Sequence, residues 1–244
     1  MTFAAEGIYK AYNGRAVLTD VGLSVRGGET LAVVGRSGCG KTTLLRVLAG
    51  LLTPDAGEVW LDGQPVRAPG KDRLLVFQGL EQLLPWQTLL GNVLFAVRKT
   101  RPNLTRAAAQ ALAEHCLSEM GLANAMRLYP YQLSGGMKQR GALARAMAVA
   151  PRVLLMDEPF SSLDEDTRDA ARVSFETLKK ATGAAVVLVT HDLREAAALA
   201  SRIALLTPGG HGFSAMVERA GPSELAVLRE RLKEQGEDRH AQAI

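Results

Sequence analysis

A chain of 244 residues, 47% of them hydrophobic, is long enough for one large domain, or one domain with an inserted lobe, around a substantial core. Its net charge of +4 is small and spread along the chain, which argues against nucleic acid as a partner and leaves an anionic ligand or surface open. The two cysteines, Cys39 and Cys116, have no C-x-x-C partner, so no zinc or redox motif is visible and a reducing compartment is expected.

The start, MTFAAEGIYK, has no basic-then-apolar leader, and apolar runs such as Ala184 to Val189 are too short to span a bilayer. Residues 1–30 read as short strands, with Val21, Leu23 and Val25 on one face. Arg26-Gly27-Gly28-Glu29 turns the chain into Thr30 to Val34, a buried strand. Gly35 to Thr43 follows, and Thr42 to Ala49 reads as a helix stopped by Gly50. Glu58 to Leu61 with Asp62-Gly63 is a strand and tight turn, and Leu74 to Phe77 is a second buried strand. From about Gly91 to Ala150 the pattern is helical. Thr105 caps a stripe of Leu112, Cys116, Leu117 and Met120 closed by Gly121, and Ser134 caps the next helix. Strands return at Val153 to Met156, Ala185 to Thr190 and Ile203 to Leu206. Helices are expected at Asp166 to Ala181, Leu193 to Ala200 and Glu224 to Glu234, with a mobile tail from Gly236. Alternating strand and helix predicts an α/β fold with a mainly parallel sheet, an antiparallel β subdomain and an inserted helical lobe.

Gly35 to Thr43, GRSGCGKTT, fits G-x-x-x-x-G-K-[ST] between a strand and a helix. Glycines at 35, 38 and 40 let the backbone close around phosphate oxygens, so the N–H groups of Arg36, Ser37, Gly38, Cys39 and Thr43 can point inward. Lys41 then reaches the β/γ-phosphates as a point charge, and the Thr42 hydroxyl can ligate Mg²⁺. Val153 to Glu158, VLLMDE, is an apolar strand ending in two carboxylates. Asp157 is placed to hold a metal-bound water, and Glu158 to polarise the water that attacks a γ-phosphate.

Leu133 to Arg140, LSGGMKQR, resembles the signature of ABC-type ATPases, and its order between the phosphate loop and LLMDEP matches that family. The resemblance implies a P-loop NTPase core hydrolysing ATP with Mg²⁺. It also implies a second phosphate site, where Ser134, Gly135 and Gly136 serve the nucleotide of another protomer, so that a homodimer sandwiches two ATPs. By matched position Gln78 resembles the glutamine that ligates magnesium and senses the γ-phosphate. Asp164, in SSLD, resembles the loop that crosses the dimer interface. His191 resembles the switch histidine that orients Glu158. Tyr12 resembles the aromatic that stacks on adenine, with Val17 against the same base. Leu83-Leu84-Pro85-Trp86 looks like the LLPW stretch of nitrate, sulfonate and taurine importers, while Gly141 departs from the bulkier residue usual there.

These resemblances imply an energy-coupling ATPase at the cytoplasmic face of the inner membrane. It would be peripheral, bound to transmembrane permease subunits and served indirectly by an extracytoplasmic solute-binding protein. The expected organisation is an ATPase domain over 1–207, with a helical lobe at about 86–150 and a short extension over 208–244. The competing readings are a soluble non-transport ABC ATPase and a small-molecule kinase. A kinase has no use for a second phosphate site.

Overall fold

The computed structural model describes residues 1–79, 82–207, 212–218 and 220–241. Residues 80, 81, 208–211, 219 and 242–244, which fall within the ranges read above, lie outside the described residues. In chain order the first elements are β1 (Thr2–Tyr12), β2 (Arg15–Arg26), β3 (Thr30–Val34), α1 (Lys41–Leu48), β4 (Ala56–Leu61), β5 (Gln64–Pro65) and β6 (Arg73–Val76). Then come α2 (Leu89–Thr100), α3 (Arg106–Glu119), α4 (Gly135–Val149), β7 (Val153–Asp157) and α5 (Glu165–Thr182). The chain closes with β8 (Ala185–Thr190), α6 (Leu193–Leu199), β9 (Arg202–Leu206), β10 (Phe213–Glu218) and α7 (Pro222–Ala241). These form two compact units, one of Met1–Leu75, Val153–Glu158 and Ala185–Ile244, the other of Val76–Arg152 and Pro159–Ala184.

The first unit is built on a six-stranded sheet ordered β10-β9-β3-β8-β7-β6. Strand β3 runs parallel to β8 and β9, and β7 parallel to β8, whereas β10 is antiparallel to β9. Every residue of β3, β7 and β8 is buried, as the unbroken apolar runs of a sheet covered on both faces require. Leu44, Leu45 and Leu48 of α1 share one core cluster with Phe3, Ile8, Leu18, Val33, Leu155 and Val187. The other face is covered by α6 and α7, where Leu193, Ala196 and Leu228 join Ala32, Val34 and Leu205.

The four-stranded sheet, ordered β2-β1-β4-β5, is antiparallel. Its strands β1 and β2 are long rather than short because Asn13 and Gly14, at φ 50° and 76°, turn the chain in two residues and let Tyr12 pair with Arg15. Asp62 and Gly63, at φ 49° and 74°, make a second such turn where one was expected. Val21, Leu23 and Val25 are buried on one face of β2 as predicted.

The C-terminal segment differs from the reading of the sequence. The helix expected over Glu224 to Glu234 runs from Pro222 to Ala241, so Gly236 does not end it and the segment expected to be mobile is helical to Ala241. Proline at the first helical position starts it, and the Glu, Gln and Arg that follow favour continuation. Strand β10 was not foreseen, although Ala215 and Val217 alternate with the exposed Ser214, Met216 and Glu218.

In the second unit the helices α2 to α5 begin at hydroxyl or carboxylate caps. Thr88, Thr105, Ser134 and Asp164 accept from Gly91, Ala108, Met137 and Thr167 N–H respectively. Cys116, Leu117 and Met120 are buried, and Gly121 closes the stripe at φ 68°. The lobe expected over 86–150 lies within this unit, which also takes in Pro159–Ala184 because α5 packs on α4. Gly141 has a local reason: a β-carbon there would stand 2.6 Å from Leu89 Cδ1, so the glycine lets α4 approach α2.

Candidate functional site

The turn from β3 into α1 is shaped by close approach. A β-carbon on Gly35 would stand 2.6 Å from Cys39 Sγ, and one on Gly40 would stand 2.9 Å from the Val17 carbonyl oxygen, with Gly40 at φ 107°. No side chain with a β-carbon fits either place without movement. Gly40 has no capping side chain, so the start of α1 keeps its N–H groups for another partner. Lys41 is 6% exposed, and its Nζ donates to the carbonyl oxygens of Gly35, at 2.8 Å, and Arg36, at 3.0 Å. Arg36, Ser37, Gly38 and Thr42 are exposed, Thr43 is half-buried, and Cys39 is buried beneath the loop.

Strand β7 delivers the two carboxylates to the same unit. Asp157 is 5% exposed. Burial pushes its carboxyl above the usual range, the Thr42 hydroxyl bond opposes that, the Glu158 charge adds to it, and Lys41 and Arg46 oppose it. Glu158 holds a left-handed φ of 43°, uncommon for a residue with a β-carbon, and its N–H donates to Val189 at 2.9 Å. Its Oε2 lies 3.0 Å from His191 Nδ1 and its Oε1 lies 3.9 Å from Lys41 Nζ. Three residues far apart in sequence thus meet at the C-terminal ends of β3, β7 and β8.

This arrangement fits a nucleoside triphosphate with a divalent cation. The glycine loop leaves its backbone open to phosphate oxygens, and Lys41 sits within the loop. Thr42 and the buried Asp157 supply oxygen donors of the kind Mg²⁺ takes. Among the described residues no group of three or more His, Cys, Asp or Glu could hold a metal alone, so phosphate and water would complete its shell.

Tyr12 ends β1 with its ring 45% exposed and Lys10 Nζ 5.8 Å from the ring centroid. Val17 is half-buried beside Gly40. The first unit therefore collects Tyr12, Val17, the phosphate loop, Asp157, Glu158 and His191.

The remaining predicted residues fall in the second unit. Gln78 follows β6 and is exposed. Ser134 is exposed at the start of α4, with Gly135 behind it half-buried. Gly136 is buried: a β-carbon there would stand 1.9 Å from Thr167 Cγ2, so this glycine serves the contact of α4 with α5. Asp164 caps α5 through a 2.9 Å bond from Thr167 N–H, which holds its carboxyl below the usual range. Reading the sequence missed Asn92. Fully buried on α2, it accepts from Leu84 N–H at 2.7 Å and donates to the Leu84, Gln87 and Thr88 carbonyls. It missed Arg145 too, which donates to the Gln82 carbonyl at 2.7 Å. A polar side chain on the apolar face of a predicted helix was the available signal. Trp86, held in that clamped segment, is 69% exposed.

The family model described as ABC transporter matches residues 18–161. The chain is 43% identical over 192 residues to the nitrate import ATP-binding protein NrtD of Synechococcus elongatus, covering 79% of this chain and 70% of that one. It is 43% identical over 203 residues to the taurine import ATP-binding protein TauB of Yersinia pestis, covering 83% and 78%. A dimeric ATP-binding cassette in a post-hydrolysis state bound to ADP and Pi superposes with a TM-score of 0.78 at 30% identity, covering 90% of this chain and 99% of that one.

Proposed function

The chain belongs to the ABC transporter family, and from that premise we propose that it is the ATP-hydrolysing subunit of a bacterial importer for a small solute such as nitrate, a sulfonate or taurine. The observation that carries the catalytic reading is the placing of Glu158 against His191 and Lys41 at the mouth of the glycine loop. Lys41 and the loop N–H groups bind the β- and γ-phosphates. Glu158 accepts a proton from the attacking water, whose oxygen displaces the β–γ bridge to give ADP and phosphate. His191 fixes the direction of the Glu158 carboxylate. Tyr12 and Val17 receive the adenine. Thr42 and, through water, Asp157 would hold Mg²⁺, which when bound supplies positive charge against the phosphate oxygens.

Ser134, Gly135, Gly136 and Asp164 serve the nucleotide of a second protomer in a homodimer. The start of α4 supports this for Ser134 and Gly135, and Gly136 contributes by letting α4 and α5 approach. The ATPase core spans 1–207, and the segment from 208 onward is an extension carrying β10 and α7. Among the described residues no helix is long and apolar enough to cross a membrane. The import relatives support coupling to transport through permease subunits, with the chain at their cytoplasmic face. An extracytoplasmic solute-binding protein would act on the assembly from the other side.

The test is to purify the tagged chain from membranes together with whatever permease accompanies it and to measure ATPase activity with nitrate, taurine and an alkyl sulfonate. Co-purification with stimulation by one solute is the expected result. Full activity with no membrane partner would favour a soluble non-transport ABC ATPase.

A further inference from the structure

Beside the phosphate loop the first unit contains an open cavity of about 540 Å³ that shares Gly35, Arg36 and His191 with the site above and extends from them to α7, which the catalytic reading does not use. Its walls come from three places: Gly35 and Arg36 at the start of the loop, His191 to Arg194 at the start of α6, and Arg229, Leu232 and Lys233 on α7. The lining is cationic. Arg36, Arg194, Arg229 and Lys233 stand against a single carboxylate, Asp192, whose Oδ1 already accepts from Arg194 N–H at 2.7 Å. Arg36, Arg194 and Arg229 make no ion pair among the described residues, whereas Lys233 Nζ pairs with Glu230 at 2.8 Å, both more than half exposed.

Three arginines brought to one cavity by three elements, with one carboxylate beside them, favour an anion among them. Guanidinium groups from three segments match a compact anion with several oxygens, which each can bind through paired N–H donors. The cavity has room for a small oxyanion with its water. His191 lines the cavity and also lies 3.0 Å from Glu158, so whatever binds there touches a residue of the hydrolytic site.

We propose that this cavity is an accessory oxyanion site, closed on one side by Arg229 and Lys233 of α7, which takes inorganic phosphate and inhibits turnover through His191. Its ligand is either the phosphate released by hydrolysis or another small oxyanion from solution. Inhibition rests on the ATPase reading. Binding does not.

Binding is measured by calorimetry, with inorganic phosphate titrated into the chain saturated with a non-hydrolysable ATP analogue, which fills the phosphate loop and leaves Lys41 in place. The expected result is one site, weakened about tenfold or more when Arg229→Ala and Lys233→Ala are added. The charge-keeping pair Arg229→Lys and Lys233→Arg should retain binding, which separates charge from folding. A preference for phosphate over sulfate assigns the hydrolysis product as ligand, and equal binding assigns any small oxyanion; either keeps the site. In the otherwise wild-type chain, Arg229→Ala with Lys233→Ala should leave turnover without added phosphate within about twofold and relieve inhibition by added phosphate. Unchanged phosphate binding in the neutralised variant overturns the proposal. So does phosphate affinity that falls as protein concentration rises, since carboxylates of a second copy would then be the occupant. If the wild-type chain binds phosphate here but hydrolyses no ATP, the ATPase reading fails and the site stands.

Discussion

His191 Nδ1 stands 3.0 Å from Glu158 Oε2, and the backbone that presents Glu158 is left-handed at φ 43°. Strain of this kind persists only when its surroundings hold it, here through the bond from Glu158 N–H to Val189 and the burial of β7 and β8. The carboxylate is therefore aimed before any ligand arrives.

Glu158→Gln should lower ATP turnover about 10²–10⁴-fold while leaving nucleotide binding close to wild type, because the amide keeps the shape and cannot take a proton. His191→Ala should lower kcat with little change in KM, by about tenfold or more, if as proposed it aims Glu158. Phosphate release and equilibrium nucleotide binding check both. Normal turnover in Glu158→Gln would end the general-base reading.

Lys41→Ala removes two things together. It deletes the charge expected on the β/γ-phosphates and the bonds that tie Nζ to the Gly35 and Arg36 carbonyls. Turnover should fall by more than ~2 kcal/mol in transition-state terms, and the isolated chain should melt lower. An unchanged melt would show that the carbonyl bonds contribute nothing without ligand.

Asp157→Asn should separate stability from activity. Burial raises the Asp157 pKa, so its protonated form is favoured by folding. That contribution is fully present below the pKa of the unfolded chain and is lost as pH rises through the higher folded value. At neutral pH the carboxylate is thus a destabilising charge, and the neutral amide should raise the melting temperature while activity drops. A gain on the order of 1 kcal/mol corresponds to roughly 2–4 °C in a chain of this size. Melting curves at pH 5 and pH 8 check the sign, because the advantage of the amide should shrink toward the acid side.

Gly136→Ala should destabilise the second unit by about 1–3 kcal/mol, the cost of overpacking against Thr167 Cγ2. Adding Thr167→Ser removes that methyl and should recover most of the loss. If the double variant is as unstable as Gly136→Ala alone, the contact is not the reason for the glycine.

Trp86→Ala should change stability by about 0.5 kcal/mol or less, because the indole is 69% exposed, against the roughly 3–5 kcal/mol expected of a buried tryptophan. Asn92 holds the Leu84–Thr88 backbone, so the segment should keep its shape. Permease association or transport should weaken while basal ATPase activity stays within about threefold. Thermal melting and co-purification check the two halves; unchanged association and transport would remove Trp86 from the docking surface.

The phosphate loop, the acidic strand and the caps Thr105 and Ser134 were legible in the sequence because each is local: a glycine spacing, an apolar run, or one side chain reaching its own helix start. Strand β10 and the full length of α7 were not, since weak alternation and a polar helix carry little signal until Ala215, Val217 and Leu228 find the face of a sheet to cover.

The residues at 35–43, 133–140 and 153–158 determined the family and the chemistry by themselves, because phosphate binding needs fixed spacings along one stretch of chain. Tertiary structure alone decided which groups meet. Glu158 reaches His191 and Lys41 only because β7 and β8 are neighbours in the sheet and β8 also pairs with β3. Gly136 owes its place partly to Thr167, a contact across two helices that no local spacing encodes. Trp86 could have been core or surface on sequence grounds; the fold leaves it outside, since Asn92 fixes the backbone around it and Leu83, not Trp86, takes the buried place.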